Sequence, residues 1–430
     1  MKTKAKPFSL TMLSLLTATA FLAAPTAAGA QEPLKIALVS FYSGPVSGPV
    51  GIPSRNGADL IIEAINAGTL PAPYSGAGVG GRQIESIYVD EAVDPVSEYR
   101  NAVQRQGVDA VVGYASSGSC LGVAPVAEEL QTLTLLYYCG SVRTFEEGPK
   151  EYVFRTMNTQ DVENIGAARY VLDTMKDVKS ISGINQNYGW GQESWRDFSK
   201  SLQQLKPDIT IKTELFPKFL SGQYGAEVTA LSRNKADIIH SSFWGGDLDA
   251  FILQASPRNL LKNQTAVLTT GGTALQSLAK HIPDGTIIGV RGSGGVLAPK
   301  SDFNDWFRSE YEKKYGEVVT FPAYYMAQAV LALKAAGDIA AQKSGNSPSV
   351  DDIRTALRGI SFETPAGTVA MDRHNGHQAS TEIAYGTFKL QDGKPTLENV
   401  KRYAPECVIA PEGTNSLDWI EAGFPGAVCN

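Results

Sequence analysis

Short apolar runs alternate with amphipathic stretches along most of the chain. Residues 34–41 form an apolar run with β-branched residues, which predicts a buried strand, and residues 54–67 carry an apolar stripe at helical spacing. The same alternation recurs up to residue 138 and starts again at residue 162. Strands that alternate with helices of about ten or more residues are typical of a parallel sheet. The pattern therefore predicts an α/β protein with two lobes, each built on a doubly wound parallel sheet.

The pattern changes near the C-terminus. Residues 367–371 and 383–390 have the pattern of antiparallel strands, and the turn dipeptide Asn375-Gly376 between them predicts a hairpin. No Gly/Ser-rich or Pro-rich linker divides the lobes, so we expect short crossovers between them. The predicted organisation assigns residues 31–156 and 292–370 to an N-terminal lobe. It assigns residues 157–291 and 371–430 to a C-terminal lobe with a disulfide-pinned tail.

The first thirty residues predict a signal peptide. Three lysines lie among the first six residues, and the apolar run 10–24 is short for a membrane span of about 20 residues. Ala28-Gly29-Ala30 supplies the small residues that a signal peptidase recognises. We therefore expect cleavage after Ala30 and a mature protein in the periplasm. No second apolar stretch predicts a membrane span.

Composition excludes several classes of protein. The 430 residues are 43% hydrophobic, which is enough for a packed core and too much for a disordered chain. The net charge is −6. A nucleic acid or an anionic membrane would need a basic face, so neither is expected as a partner.

Cysteine and histidine are scarce, with four of each. In an oxidising compartment the cysteines favour two bridges over a free nucleophile. We expect Cys120–Cys139 and Cys407–Cys429, each worth about 3 kcal/mol of stability.

Neither a metal nor a cofactor site is predicted. His374 and His377 flank the predicted turn, and no cysteine or acidic cluster nearby completes a metal site. The G-x-G-x-x-G in residues 76–81 precedes a strand instead of opening a helix, so it is not a dinucleotide site.

Small hydroxyl and glycine residues gather where predicted strands end. Ser116 and Ser117 follow the third strand, Ser141 follows the fourth, and Asp247 follows a strand of the second lobe. Ligands of open α/β sheets bind at this edge. The hydroxyls, with the N–H groups that open a helix predicted to begin near residue 121, would suit a carboxylate.

Several motifs together resemble a known family, and their order and spacing extend over nearly the whole mature chain. They include Ser43-Gly44-Pro45, Asn56-Gly57-Ala58, Asp90-Glu91-Ala92-Val93-Asp94-Pro95, Tyr152-Val153-Phe154-Arg155-Thr156 and Gly245-Gly246. The chain resembles the periplasmic substrate-binding proteins of ABC transporters of the leucine/isoleucine/valine-binding type. The resemblance implies the type I periplasmic-binding fold, in which two lobes joined by three crossovers close on a ligand.

The resemblance also implies ligand contacts in the first lobe. Two consecutive residues after the third strand meet the ligand carboxylate in the family, and Ser116 and Ser117 occupy those positions. A trio after the fourth strand that ends in a hydroxyl falls on Cys139, Gly140 and Ser141.

The implied second-lobe contacts depart from the family in part. Tyr188 stands at an aromatic position of the family, and Trp244 would pack the ligand body. Asp247 follows the paired glycines, where amino-acid binders often have Tyr. No acid lies near Thr270, where the family has the acid that binds the ligand ammonium. Either Asp247 replaces that acid or the ligand has no ammonium; Val50, in place of an entrance aromatic, leaves room for a larger ligand.

The resemblance implies a receptor and not an enzyme. The expected ligand is a small carboxylate, foremost an amino acid of the branched-chain or a related type, delivered by a monomer to the membrane permease subunits of an ABC transporter. An amide, urea or an aromatic acid is the alternative ligand in the same role. A secreted hydrolase is the alternative from another class; it would use Cys120 or Ser117 and need His240 or His281 within hydrogen-bond reach.

Overall fold

A computed structural model describes residues 1–7 and 31–429. The predicted leader, apart from its first seven residues, lies outside the described residues, as does its cleavage site. The strands are β1 (Leu34–Ser40), β2 (Ile84–Asp90), β3 (Ala110–Gly113), β4 (Leu133–Leu136), β5 (Val153–Arg155), β6 (Ser180–Ile184), β7 (Thr210–Leu215), β8 (Ile238–Ser241), β9 (Thr265–Leu268), β10 (Ile287–Gly289), β11 (Ser361–Thr364), β12 (Gly367–Arg373), β13 (Gln378–Ser380), β14 (Ile383–Gln391) and β15 (Lys394–Tyr403). The α-helices are α1 (Ile52–Ala67), α2 (Pro95–Gln104), α3 (Ser117–Glu129), α4 (Arg143–Glu146), α5 (Gln160–Thr174), α6 (Gly189–Leu205), α7 (Gly225–Arg233), α8 (Gly246–Ala255), α9 (Leu260–Asn263), α10 (Leu275–Leu278), α11 (Asp302–Tyr315), α12 (Phe321–Ser344), α13 (Val350–Leu357), α14 (Pro405–Val408) and α15 (Ser416–Glu421).

Two sheets organise these elements. The first has the strand order β11-β12-β13-β5-β4-β3-β1-β2, and the second has the order β15-β14-β10-β9-β8-β6-β7. Strands β1 to β5 pair in parallel, as do β6 to β10, and antiparallel strands complete one edge of each sheet. We call the first sheet with its helices lobe 1 and the second lobe 2. The predicted α/β fold of two doubly wound lobes is confirmed.

The burial of the central strands explains why they could be predicted from apolar runs in the sequence. Every residue of β3, β4, β6 and β8 is buried, because helices cover both faces of a parallel sheet. The central helix of lobe 1, α12, is buried along most of its length and packs against α1. These helices hold the strand ends of lobe 1 in place.

The chain changes sheets three times, between β5 and β6, between β10 and β11, and between β13 and β14. The predicted hairpin between residues 367–371 and 383–390 is wrong. The turn around Asn375 joins β12 to the three-residue strand β13, and both pair within the first sheet. Strand β14 instead pairs with β10 and β15 in the second sheet. Residues 371–380 therefore belong to lobe 1 and not to the C-terminal lobe, because the last crossover follows Ser380.

Both predicted disulfides are present. Cys120 is joined to Cys139, and Cys407 is joined to Cys429. The second bridge pins the tail, residues 404–429, whose buried side chains pack in the core of lobe 2. The tail also reaches lobe 1, where Glu146 accepts hydrogen bonds from Asn415 Nδ2 at 2.6 Å and from the Ser416 N–H at 3.0 Å. The tail therefore spans the two lobes.

Candidate functional site

Loops that follow the parallel strands of the two sheets contact each other. The Trp244 ring of lobe 2 lies 5.9 Å from the Phe41 ring and 6.2 Å from the Tyr138 ring, both of lobe 1, measured between centroids. Pro45 packs so closely on Gly246 that an added Cβ would lie 2.7 Å from the proline Cβ. This is the edge at which α/β sheets bind ligands. We call the region between the loops the cleft; it is formed by residues 41–46, 114–117 and 137–142 of lobe 1 and by residues 185–191 and 242–247 of lobe 2.

The predicted residues of lobe 1 come together in the cleft. Ser117 begins α3, and its Oγ accepts the N–H of Gly140 at 3.3 Å and that of Ser141 at 3.2 Å. The disulfide between Cys120 and Cys139 joins the same two segments. Two backbone N–H groups thus converge on the hydroxyl oxygen of Ser117. A carboxylate oxygen of a ligand can take the place of this hydroxyl and accept both hydrogen bonds.

A carboxylate of the same lobe already occupies the start of α3. Glu91 accepts the N–H groups of Ala115 at 2.7 Å and Ser116 at 2.8 Å, and Ser116 makes no side-chain cap. The helix begins at Ser117 and not near residue 121, and the two N–H groups that immediately precede it are bound by Glu91. Burial raises the pKa of Glu91 to about 7, although the two N–H groups oppose the shift.

Replacing Glu91 by glutamine is expected to reduce the pH dependence of stability between pH 5 and pH 8. The carboxyl stays protonated in the folded protein up to about pH 7 but ionises near 4.5 in the unfolded chain. Its contribution to stability is therefore present below pH 4.5 and is lost as the pH rises through 7, by about 2–3 kcal/mol. Urea unfolding of both proteins at the two pH values measures the difference. An equal loss in wild type and variant would contradict the shifted pKa.

Arg291 lies buried beside Gly140 and was missed by the sequence reasoning. Its guanidinium carbon is 4.4 Å from the Tyr138 ring centroid and 4.2 Å from that of Trp190. Arg291 Nε donates to Glu163 Oε1 at 3.0 Å, and Nη1 donates to the carbonyl of Tyr138. Nη2 lies 3.0 Å from the same Glu163 oxygen as an ion pair but without hydrogen-bond geometry, and the side chain is only 2% exposed. A glycine is required at position 140, because a Cβ there would lie 2.6 Å from Nη2.

Aromatic rings surround this guanidinium. Tyr138 stacks on Phe321 with centroids 5.9 Å apart and planes inclined by 6°, and the Tyr138 hydroxyl is buried without a hydrogen bond. Tyr188 and Trp244, the two aromatic residues of lobe 2 that were predicted to contact the ligand, are hydrogen bonded to each other. Trp244 Nε1 donates to the Tyr188 hydroxyl at 2.9 Å. Phe219 stacks on Trp244 at 5.5 Å. The cleft walls are therefore flat and apolar around a few buried polar atoms.

Ser141, one of the predicted ligand-binding residues, makes a hydrogen bond from lobe 1 to lobe 2. Ser141 Oγ donates to Glu193 Oε2 of lobe 2 at 2.8 Å. Burial raises the pKa of Glu193, and the serine hydroxyl opposes the shift. This contact ties the loop that follows β4 to α6.

The side chains of Asp247 and Thr270 make hydrogen bonds to neighbouring loops within lobe 2. Asp247 Oδ2 accepts Gln186 Nε2 and the N–H of Leu220, each at 2.8 Å. The Thr270 hydroxyl donates to the carbonyl of Phe243. Both side chains hold neighbouring loops of their own lobe, and neither is joined by a hydrogen bond to Ser117 or Ser141.

The nucleophile and histidine that the hydrolase alternative requires do not form a pair among the described residues. Cys120 is held in a disulfide, and Ser117 Oγ accepts from backbone amides. His240 Nε2 is bonded to Asn164 Oδ1 at 2.7 Å, and burial lowers the pKa of this histidine to about 3. Within the described residues no histidine forms a hydrogen bond with either predicted nucleophile.

No group of three or more His, Cys, Asp or Glu residues among residues 1–7 and 31–429 could hold a metal ion. No helix in this part of the chain is both long and apolar enough to cross a membrane.

Residues 33–394 match the sequence profile of the family described as periplasmic binding protein. Similar solved structures include the solute-binding protein of an ABC transporter from Rhodopseudomonas palustris BisB5 in complex with 3,4-dihydroxybenzoic acid. It is 18% identical with a TM-score of 0.73, over 87% of this chain and 98% of that chain. A solute-binding protein from R. palustris in complex with benzoate is 19% identical with a TM-score of 0.73, over 86% of this chain and 98% of that one.

A leucine-binding protein from Thermotoga maritima is similar as well. It is 16% identical with a TM-score of 0.70, over 85% of this chain and 98% of that one. No curated protein matches the chain. At these identities the likeness to solved structures establishes the fold, and the choice of ligand depends on the residues of the cleft.

Proposed function

The chain belongs to the periplasmic binding protein family, and from this premise we propose that it is the periplasmic solute receptor of an ABC transporter. It is exported by its leader, cut after Ala30, and binds a small carboxylate solute between its lobes as a monomer. It then delivers the solute to the membrane permease. The protein carries out no bond chemistry, because its work is a difference in affinity between open and closed lobes.

One observation supports the carboxylate more than any other. The Tyr138 hydroxyl is buried in the cleft without a hydrogen bond, and Arg291 Nη2 has only its ion pair with Glu163, beside the converging N–H groups of Gly140 and Ser141. Buried polar atoms are rarely left unpaired unless a ligand or water completes them. A carboxylate accepts several hydrogen bonds and pairs well with a guanidinium. The carboxyl group is therefore assigned to this end of the cleft.

The rest of the cleft favours an aromatic body over an α-ammonium. Position 270 carries no acid, and the Asp247 carboxylate already accepts two hydrogen bonds within lobe 2. The rings of Tyr138, Trp190 and Trp244 lie together at this end of the cleft, and flat aromatic rings suit a ligand with an aromatic body. We therefore choose an aromatic acid, the alternative ligand of the sequence analysis, over an amino acid. The R. palustris proteins in complex with 3,4-dihydroxybenzoic acid and benzoate support this choice.

Closure has an identifiable set of contacts. Arg291, in the crossover that follows β10 of lobe 2, donates to the Tyr138 carbonyl of lobe 1, and Glu193 of lobe 2 accepts the Ser141 hydroxyl of lobe 1. When the lobes separate, both contacts are broken, and the polar groups beside Gly140 face the open cleft. A ligand bound there favours the closed lobes by the contacts that it gains on both sides.

A matched ligand pair tests the proposal. We expect benzoate to raise the melting temperature of the mature protein, and the rise should grow with the logarithm of benzoate concentration above the dissociation constant. Benzamide has the same ring without the negative charge, and we expect it to have little effect. Leucine and urea represent the other ligand classes. Stabilisation by leucine alone would refute the aromatic acid, and stabilisation by none of the four would refute binding of these solute classes.

A further inference from the structure

A second polar cavity lies behind the cleft residues, between the crossovers and the tail. Its volume is about 50 Å³, which is room for a few water-sized groups. Its walls come from four places: Arg155 at the end of β5, Asp161 in the first turn of α5, Arg373 at the end of β12, and tail residues 409–414 with Ser416. It therefore touches both lobes and the tail at once.

Four polar atoms of these wall residues are buried without a hydrogen bond. They are Arg155 Nη2, Asp161 Oδ1, Arg373 Nε and Ser416 Oγ. The Arg155 side chain is fully buried, while Asp161 and Ser416 are each 3% exposed. Single orphaned atoms occur in proteins, but four from separate segments around one cavity indicate that it holds a polar guest.

The charge of the two arginines indicates the nature of that guest. Arg155 donates only to neutral oxygens, those of Gln378 at 2.5 Å and of the carbonyls of Ser141 at 2.7 Å and Cys139 at 3.4 Å. Arg373 donates to the carbonyl of Ala410 at 2.8 Å. Among the ion pairs of the described residues, neither arginine has a carboxylate within 4.0 Å. A buried guanidinium without a counter-ion is costly, and burial lowers the pKa of Arg155 to about 9.

The other ionisable groups that line this cavity are Glu146, Glu412, His374 and Asp161. Glu146 accepts two hydrogen bonds from the tail, and Glu412 accepts the N–H groups of His374 at 3.1 Å and Asn375 at 3.3 Å. Burial lowers the pKa of His374, which keeps the ring neutral. Burial, with Asp197 nearby, raises the pKa of Asp161 to about 7, so its protonated form can donate to a guest. The unsatisfied groups are therefore mainly donors.

We propose that this cavity binds a small monovalent inorganic anion, of the size of chloride or nitrate. The anion accepts from Arg155 Nη2, Arg373 Nε and the Ser416 hydroxyl, and so links the crossovers to the tail. The site is separate from the solute site, because Ser117, Tyr138 and Arg291 do not line the cavity and Arg155 donates to the backbone carbonyls of Cys139 and Ser141 from behind the cleft loop. It does not depend on which solute the cleft binds.

Chloride and gluconate at equal sodium concentration test the site in solution. Gluconate has six carbons and does not fit the cavity. We expect chloride to raise the melting temperature of the wild type by a few degrees relative to gluconate, with a rise that grows with chloride concentration. Arg373→Gln and Arg155→Met should lose this gain. Arg105→Gln is the control, since Arg105 is exposed on lobe 1, and it should keep the gain.

Crystals of the wild type grown in bromide give a second readout that needs no variant to fold. An anomalous peak between Arg155 and Arg373 is expected. Its absence would overturn the proposal and leave the cavity to water. An equal chloride gain in wild type and Arg373→Gln would overturn it as well, because the effect would then come from elsewhere on the protein.

Discussion

Replacing both Cys120 and Cys139 by alanine is expected to weaken solute binding at least tenfold and to lower the free energy of unfolding by about 3 kcal/mol. The bridge joins the first turn of α3 to the residue before Gly140. It therefore fixes Ser117 Oγ against the N–H groups of Gly140 and Ser141, which lie 3.2–3.3 Å away. Without the bridge these groups must be ordered by the ligand itself, and that ordering reduces affinity.

The second disulfide supplies a matched control. Cys407 and Cys429 are 22 residues apart and Cys120 and Cys139 are 19 apart, so the loops that they close are similar in length. Removing the Cys407–Cys429 pair should cost a similar free energy of unfolding. It should leave the dissociation constant for benzoate unchanged, because the tail bridge contacts none of the cleft residues named above. Urea unfolding and calorimetric titration give the two quantities. Equal loss of affinity in both double variants would show that the Cys120–Cys139 bridge acts on global stability alone.

The fold was predictable because burial repeats at short range. The central strands are buried on both faces, so each appears in the sequence as an unbroken apolar run. The last crossover was placed wrongly for the opposite reason. Strand β13 has three residues, and it pairs with β5 only through Gln378 and Arg155 and with β12 through an irregular register. A pairing of that kind leaves no periodicity to detect.

The cleft was predictable only in part. Ser117, Gly140 and Ser141 were found because small residues after strands are a local signal, and the family resemblance points to the same positions. Arg291 was missed because its environment is assembled from distant parts of the chain: its partner Glu163 is 128 residues away, and the Tyr138 carbonyl is 153 residues away. The local signal was a lone basic residue directly after strand β10, in a glycine-rich crossover. The ligand role predicted for Asp247 stays a prediction; the sequence does not show that Gln186 and Leu220 donate hydrogen bonds to its carboxylate.

Arg291→Met is expected to destabilise the protein and to abolish its preference for benzoate over benzamide. The substitution leaves Glu163 buried without its partner, which costs about 3–5 kcal/mol. It also removes the cationic donor of the cleft. A charge-assisted hydrogen bond of about 2–3 kcal/mol corresponds to a roughly 30- to 150-fold loss of affinity for benzoate.

A double variant separates these two effects. In Glu163→Gln/Arg291→Met both charges are absent, so most of the lost stability should return, because no buried charge is left unpaired. The affinity for benzoate should stay low, since the donor is still missing, and benzoate and benzamide should bind alike. The comparison needs unfolding free energies and dissociation constants for the wild type and both variants. A double variant that regains stability and binds benzoate as tightly as the wild type would show that Arg291 only holds the crossover in place, and the carboxylate would then be bound by Ser117 and the Gly140 and Ser141 amides alone.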